Sequence, residues 1–480
     1  MPYRDLRAFI ERLEKEKELS RIKTEISPIL EITEVTDRVL KSGGKALLFE
    51  KPKGHSIPVL TNTFGTEKRM LMALEINSFD EMRQKILSII KRHPSSMLDL
   101  IKSFETLKDL MAITPKKARN APCTEKKADS LEKFPILKCW PKDAGRFITL
   151  PVVITKDPIS GELNAGVYRM QVFDGKTTGM HWQIHKHGME HMRRVKETGR
   201  DRIEVAVAIG VDPAILYSAT APLPEGLSEF AFAGFLRGKR VELVDCETVD
   251  LQVPATSEIV LEGFVKVDEV RLEGPFGDHT GYYTPPEPYP VFRITSITHR
   301  EDPIYHATIV GKPPMEDAWL GKATERIFLP IIQILNPEIV DMNLPIEGVF
   351  HGVAIVSIKK RYPGQAKKVM FSLWGLGMLS LTKIIVVVDS DINVHNFSEV
   401  IWAISTRFDP SKDSVLLPPS PTDALDHSAY LPFLAGKIGI DATKKLKEEG
   451  YTREWPETIE MSEDVKKRIN DMWEEISRYL

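Results

Sequence analysis

Cysteine is nearly absent from this chain. Three residues, Cys123, Cys139 and Cys246, stand far apart in 480 and form no C-x-x-C pair. A disulfide framework and a thiolate zinc site are therefore excluded, and a reducing cytoplasm fits. Long apolar runs are missing too, and none approaches the roughly 20 residues needed to cross a bilayer. The N-terminal stretch MPYRDLRAFIERLEKEKE is charged and amphipathic, with Leu6, Phe9, Ile10 and Leu13 on one face. It lacks the apolar centre of a signal peptide. Charge of one sign is scarce: 65 Lys and Arg oppose 68 Asp and Glu, which leaves nucleic acid no basic surface to bind. There is no internal repeat, no low-complexity tract and no G-x-G-x-x-G dinucleotide fingerprint. What remains, 42% hydrophobic and 28% charged, is the composition of a soluble globular protein. Its 480 residues exceed what one core fills, so two or three domains are expected.

The texture changes twice along the chain. The first part is mixed: a helix over 4–18, a helical stretch over 30–41, the strand ALLFE, and helical patterns over 80–112. Residues 113–150, rich in Lys and Pro, read as a connecting segment. From 150 to 310 short β-rich runs follow one another, among them PVVIT, RIEVAVAIGVD and EIVLEGFVKV, which predicts an antiparallel barrel or sandwich. One helix, over 225–237, interrupts it. The last third alternates: GVAIVSIKK, a helix from Gln365 to Leu376, TKIIVVVD, a helix over 396–407, then SVLLP. That rhythm predicts a parallel sheet covered by helices. The tail SEDVKKRINDMWEEISRYL is an amphipathic helix with Val465, Ile469, Trp473 and Ile476 at helical spacing, suited to packing on its own domain or a neighbouring subunit.

Several stretches concentrate polar chemistry. LEGPFGDHTGYYTP, residues 272–285, sets Glu273 and Asp278 five apart on a turn stiffened by glycine and proline, with His279 next. Turn chemistry accounts for Gly and Pro but not for the acids. MHWQIHKHGMEH carries His181, His185, His187 and His191, and the even spacing of the first three predicts one face of a strand. This cluster reads either as a His-rich strand edge or as a metal or phosphate site, without the ligand pattern of a zinc hydrolase. In LNAGVYRMQVFD, Arg169 lies among Val167, Tyr168 and Met170 and calls for a carboxylate or phosphate partner, a surface salt bridge being the alternative. In PLPEGLSEFAFAG, Ser228 reads as a helix N-cap and Glu229 as a first-turn acid favoured by the helix dipole, a role that alone accounts for it.

Together, in this order and at these separations, NAGVYR, WQIH, SEFAFAGFLRG and EGPFGDHTGYY closely resemble the UbiD family, decarboxylases that use prenylated FMN. The likeness is greatest to the 4-hydroxy-3-polyprenylbenzoate decarboxylases of ubiquinone synthesis. It continues through REDPIYHATIVGKPP, PEIVDMNLP, VIWAISTRFDP and DATKK, nearly the whole chain. The resemblance implies a mixed α/β fold: an N-terminal α/β domain over 1–115, a split β-barrel that holds the flavin over 116–315, and a C-terminal α/β domain with a parallel sheet and an oligomerisation helix over 316–480.

It also implies roles. Asn164, His185 and Glu229 are the expected ligands of a divalent metal, Mn2+ or Mg2+, bridging the cofactor phosphate; two oxygens and one nitrogen suit such ions. A potassium ion near Glu229 belongs to the same resemblance. The expected cofactor contacts are Val167, Tyr168, Arg169, His181, Trp182, Gln183, Lys186 and His187. The last pair departs from the Arg-Gly common in close relatives: Lys186 keeps the charge and His187 adds bulk. Loss of carbon dioxide from an aromatic ring leaves an aryl carbanion that no side chain delocalises, so the electron sink belongs to the cofactor. The protein adds an anion grip, Arg169, and a proton, from Asp278. Glu273 completes a Glu–Arg–Asp network in which one acid is expected neutral while the other is charged. His279 is left to orient Asp278.

The reaction so implied turns a 4-hydroxy-3-polyprenylbenzoate into a 2-polyprenylphenol for quinone synthesis. The same chemistry on another aromatic or unsaturated acid, a menaquinone precursor among them, or in the carboxylating direction, uses nearly the same motifs, and residues 320–350 are expected to decide between them. The implied partners are an aromatic carboxylic acid, a flavin prenyltransferase as cofactor supplier, and further copies of the chain. A polyprenyl tail adds peripheral membrane contact for a cytoplasmic protein. Two readings lie outside the family: a metal-dependent hydrolase built on the histidines, and a non-enzymatic assembly subunit.

Overall fold

A computed structural model describes residues 3–89, 113–183, 187–223 and 226–479. The first helix, Leu6–Lys15, buries the four apolar residues of its expected face, and Asp5 caps it by accepting from the Ala8 N–H at 3.0 Å. It packs against a four-stranded sheet in the order Leu19–Ile22, Ala46–Phe49, Val59–Thr61, Tyr305–His306. The last strand comes from more than two hundred residues downstream, so the chain returning from the central region completes this sheet. Helix Phe79–Ile89 begins the helical stretch expected over 80–112; the rest of that expectation lies outside the described residues.

The central sheet follows the order Thr177–Gly179, Glu287–His299, Ile259–Glu273, Arg202–Ile209, Val152–Lys156, Leu163–Val167. Every pairing along this path is antiparallel, as the short β-rich runs predict. Alternation sorts its side chains between two cores. Val153, Val205, Val207 and Leu261 face one that also holds Tyr168, Met170 and Trp182. Ile154, Ala206, Ala208 and Val260 face the N-terminal helices and helix Glu229–Arg237. Strands Ile259–Glu273 and Glu287–His299, 15 and 13 residues long, pair from Ile259 opposite His299 out to Glu273 opposite Glu287. The motif GPFGDHTGYYTP is the tip of this hairpin.

Two expectations need correction here. Residues 113–150 are more than a connector: Leu131, Phe134, Ile136, Leu137 and Cys139 are buried in the central core, because this stretch wraps the open end of the sheet. The described part of the histidine segment is no strand. His181 to Gln183 are irregular and His187 opens the helix His187–Glu197, so His181 and His187 do not share a strand face, while His185 lies outside the described residues. A Cβ at Gly188 would come 2.6 Å from the Trp182 indole nitrogen, so the first turn of this helix packs directly on Trp182.

The C-terminal sheet has the order Ile339–Asn343, Val353–Ile358, Ile384–Asp389, Leu434–Ala442, Ser414–Pro421. Its three inner strands are parallel, and helices Gln365–Trp374 and Phe397–Arg407 cover it with two separate cores. The third parallel strand is Leu434–Ala442. SVLLP lies instead on the antiparallel edge, where prolines are tolerated. Helix Glu463–Ile476 keeps Val465, Ile469, Met472 and Trp473 exposed, so its own domain does not cover it.

Candidate active site

The hairpin tip is built to hold a shape. Gly274 takes φ +96°, closed to residues with a Cβ, and its N–H donates to the Gln171 side-chain oxygen at 2.8 Å. Gly277 donates to Asp143 Oδ1 at 2.8 Å, and Asp143 Oδ2 accepts from the Trp140 N–H at 2.8 Å. A Cβ at Gly277 would run into the Trp140 indole ring, which its own Nε1 fixes by donating to the Val310 carbonyl at 2.8 Å. The segment that resembled a linker thus clamps the tip.

The tip delivers both its acids to one arginine. Arg169, in the turn between strands Leu163–Val167 and Met170–Gln171, donates from Nε to Glu273 Oε1 at 3.0 Å, from one Nη to Asp278 Oδ2, and from the other to Thr284 Oγ1 at 3.3 Å. Its guanidinium lies over the Phe276 ring at 4.6 Å, a cation–π contact that fixes the plane of the fork. The side chains of Arg169, Asp278 and Glu273 are 10%, 9% and 0% exposed, so all three charges are desolvated together. His181 Nδ1 shares the same Glu273 oxygen at 2.8 Å and its ring packs on Tyr289, 4.2 Å between centroids.

Electrostatics here corrects the expected split of proton load. Burial pushes both carboxyls up, but for Glu273 the His181 hydrogen bond and the Arg169 charge outweigh it, and the pKa ends below the ordinary glutamate value. For Asp278 the bonds from His279 and the charge of Arg169 outweigh burial and hold it well below the aspartate range. Both shifts favour the ionised carboxylate beside Arg169. The raised pKa belongs to His279, whose ring faces Asp278: desolvation lowers it, and the bond to Asp278 lifts it further.

A second cluster lies at the other end of strand Leu163–Val167. Glu229, first residue of helix Glu229–Arg237, is buried and accepts from the Ala165 N–H at 3.1 Å through Oε2. Burial raises its pKa to about 7, and no cation is paired with it among the described residues. Ser228 holds the N-cap position but makes no side-chain cap bond, while Glu229 is a first-turn acid whose carboxyl also takes a hydrogen bond from its own backbone N–H. Asn164 accepts at Oδ1 from His187 Nδ1 at 3.2 Å and contacts the buried Tyr168 phenol. Asn164 Nδ2, Trp182 Nε1 and Glu273 Oε2 are among the buried polar atoms that find no partner among the described residues. Asn164 is expected at the metal, Trp182 at the cofactor and Glu273 in the catalytic network, and buried orphans at these places fit a missing polar ligand.

The histidines divide. His181 goes to Glu273, His187 to Asn164, and buried His191 bonds Thr155 Oγ1 at 2.9 Å. Among the described residues no group of three His, Cys, Asp or Glu side chains is placed to hold a metal. The described members of the cluster thus go to three separate partners. His185 and Lys186 lie outside the described residues.

Three family models cover the chain in succession. They are described as the N-terminal, Rift-related and C-terminal domains of 3-octaprenyl-4-hydroxybenzoate carboxy-lyase and match residues 10–86, 115–313 and 318–442. The chain belongs to the UbiD family. This is a family of carboxy-lyases, which sets aside a non-enzymatic assembly subunit. An uncharacterized protein of Archaeoglobus fulgidus is 68% identical over 476 residues, 99% of both chains. Among solved structures, the vanillic acid decarboxylase of Sedimentibacter hydroxybenzoicus in closed form matches with TM-score 0.87 at 29% identity, over 98% of this chain and 99% of that one. HmfF of Pelotomaculum thermopropionicum, a UbiD-class enzyme solved with FMN, matches with TM-score 0.81 at 30% identity, over 97% and 99%. An evolved dimeric form of HmfF has been solved with prFMN and matches with TM-score 0.78. The mixed α/β architecture of these UbiD-class proteins is that of this chain.

Of the residues singled out from the sequence, the fold brings Arg169, Glu273, Asp278 and His181 into direct contact. It groups Asn164, Tyr168, His187 and Glu229 around strand Leu163–Val167. Val167 ends that strand, and Trp182 and Gln183 follow His181 in the irregular segment, Trp182 in the central core. Sequence reasoning missed Trp140, Asp143, Phe276 and His351. The first two lie in a stretch without periodicity, and His351 lies on a loop of the C-terminal region whose contact with His279 only the tertiary fold makes.

Proposed function

We infer that this chain is a prenylated-FMN-dependent decarboxylase of a hydroxylated aromatic acid, with 4-hydroxy-3-polyprenylbenzoate, converted to 2-polyprenylphenol, as its first candidate substrate. The observation that carries the reading is one guanidinium shared by two buried carboxylates on a rigid hairpin tip. The expected division of the chain near residues 115 and 315 is part of it.

A bound prenylated flavin supplies the electron sink that the departing carbon dioxide requires. The chain supplies the rest. Arg169 offers a bidentate grip to the substrate carboxylate, and Glu273 with His181 holds its Nε end in place as the other end turns to the substrate. Asp278, on the same arginine, places a carboxyl oxygen where the vacated ring carbon receives its proton. Val167, Tyr168, Trp182, Gln183, Lys186 and His187 are assigned to holding the flavin. Asn164, His185 and Glu229 are assigned to a divalent cation, Mn2+ or Mg2+, at the flavin phosphate, with K+ beside Glu229. The uncompensated burial of Glu229 supports this, since a cation there returns the carboxyl to its ionised form.

The polyprenylbenzoate is favoured by the description shared by all three matching family models. A second reading, a small phenolic acid, is favoured by the likeness to vanillic acid decarboxylase. A menaquinone precursor, or carboxylation of a phenol, stays within the same chemistry. Protein produced together with a flavin prenyltransferase, then purified, separates these. It is expected to carry flavin absorbance and a divalent metal, and to release carbon dioxide from a 3-prenyl-4-hydroxybenzoate faster than from vanillate or 3,4-dihydroxybenzoate. Preference for vanillate selects the second reading; absence of flavin and of turnover on every acid rejects both. No helix among the described residues is long and apolar enough to cross a membrane, so a lipid-borne substrate is to be met from the surface.

A further inference from the structure

The proton donor does not stand alone. His279 donates its backbone N–H to Asp278 Oδ1 at 2.7 Å, and its ring Nδ1 lies 2.9 Å from the same oxygen, opposite the one that Arg169 holds. The other ring nitrogen, Nε2, meets His351 Nε2 at 3.0 Å. His351 comes from the C-terminal region, on the loop after Pro345 where Val349 and Phe350 take left-handed backbone, φ +56° and +45°. Such conformations in a β-branched and an aromatic residue are held only when the surroundings impose them. Here Phe350 packs on the His279 ring, 5.4 Å between centroids, and against Gly321, where a Cβ would fall 2.9 Å from the Phe350 ring. The loop is braced so that one imidazole reaches another across two regions of the chain.

Resting on the decarboxylase reading, we propose that the proton Asp278 delivers to the ring carbon is stored on His279, and that His351 is the positioning residue that keeps it there. His279 as imidazolium donates from Nδ1 to Asp278 and from Nε2 to the lone pair of His351 Nε2. When the substrate carboxylate draws Arg169 away, Asp278 loses one of its two cations. The Nδ1 proton then passes to Asp278 Oδ1, the N–H electron pair stays on Nδ1, and His279 is left as the Nε2–H tautomer that His351 still accepts from. Asp278 gives that proton to the carbon whose bond to carboxylate has broken, so one proton replaces one carbon dioxide. Solvent water restores the proton after product leaves, since the His279 side chain is 16% exposed. The charged groups around His279 are Asp278 on its own turn, Asp317 at the start of helix Glu316–Leu335 and Asp423 beyond strand Ser414–Pro421, all acids that favour the imidazolium. Asp317 is itself buried, and burial lifts its pKa to about 7.

The test uses full-length protein and two substitutions, His351→Leu and His351→Gln. In flavin-free protein with ring-labelled histidine, nitrogen NMR is expected to show both His279 nitrogens protonated at neutral pH, and one of them deprotonated in His351→Leu. In flavin-loaded enzyme, His351→Leu is expected to lower kcat by about 10- to 100-fold with KM unchanged and to move the alkaline limb of the pH profile down by about one unit. His351→Gln, which can accept at the same place, recovers part of both. Melting temperature and flavin absorbance serve as controls for folding and loading. A neutral His279 at pH 7 in the unaltered protein overturns the proposal, and so does a pH profile indifferent to His351→Leu. If the unaltered enzyme turns over no acid, the function reading fails, while the NMR result still decides where the proton sits.

Discussion

Arg169 is the residue on which the others depend. A buried guanidinium that bonds two carboxylates and a hydroxyl and lies over an aromatic face depends on both acids for its charge balance, and removing one leaves an uncompensated charge. Asp278→Asn keeps the size and one acceptor oxygen but carries no proton to give. It is expected to retain flavin binding, read from the visible spectrum, and to lose at least about 10²-fold in carbon dioxide release. Unchanged turnover in that variant removes Asp278 from the mechanism. Glu273 gives a different signal. Because its folded pKa is depressed, the stability it adds is present above its unfolded value, about 4.3, and is lost as pH falls through the folded value. Glu273→Gln is therefore expected to melt lower at neutral pH, by about 3–5 kcal/mol in unfolding free energy, and to lose less stability than the parent below about pH 4. Parallel melting curves down to pH 2.5 for the two proteins contradict this.

At the scale of elements, a long hairpin carries the chemistry and a non-periodic segment aims it. Strand alternation keeps Ile259–Glu273 anchored in two cores at its inner end, while the outer end reaches beyond them. Asp143 and Trp140 hold the Gly277 side of the tip, beside the bonds of Gln171 and Arg169. Gly277→Ala forces the indole or the turn to shift, which is expected to cost about 1–3 kcal/mol by denaturant unfolding and most of the turnover. Adding Trp140→Leu makes room for the methyl and is expected to restore stability more than activity, because the clamp is then gone. Full activity in Gly277→Ala shows that the tip tolerates what the contact forbids.

At the scale of the whole molecule, the tail helix is the clearest unfinished surface. Trp473 is 53% exposed, and Val465, Ile469 and Met472 line the same face, more apolar area than one helix leaves in water without a partner. A second copy of the chain is the expected cover. The double substitution Ile469→Glu and Trp473→Glu is expected to yield a smaller species by light scattering, with the melting of the central region unchanged. An unaltered mass assigns that face another role.

How much of this was legible beforehand differs by kind of information. Local periodicity predicts helix Leu6–Lys15 with its buried face, the two long central strands and the parallel pair Val353–Ile358 and Ile384–Asp389, because alternation and 3.6-residue spacing are properties of neighbours in sequence. It misplaces the third parallel strand, since Leu434–Ala442 contains glycines and a lysine where a buried strand is expected to be apolar. It also misreads the histidines, where even spacing does not distinguish a strand from the irregular stretch at His181 and the helix that His187 opens. The identities of Arg169, Glu273 and Asp278 as chemical groups are written in the chain. Their meeting, the lowered proton affinity of both acids, and the contact of His279 with His351 are decided by the tertiary structure alone. Residues 72 to more than 100 positions apart share one desolvated place there, and only at such distances of a few ångströms do charges set one another's proton affinity.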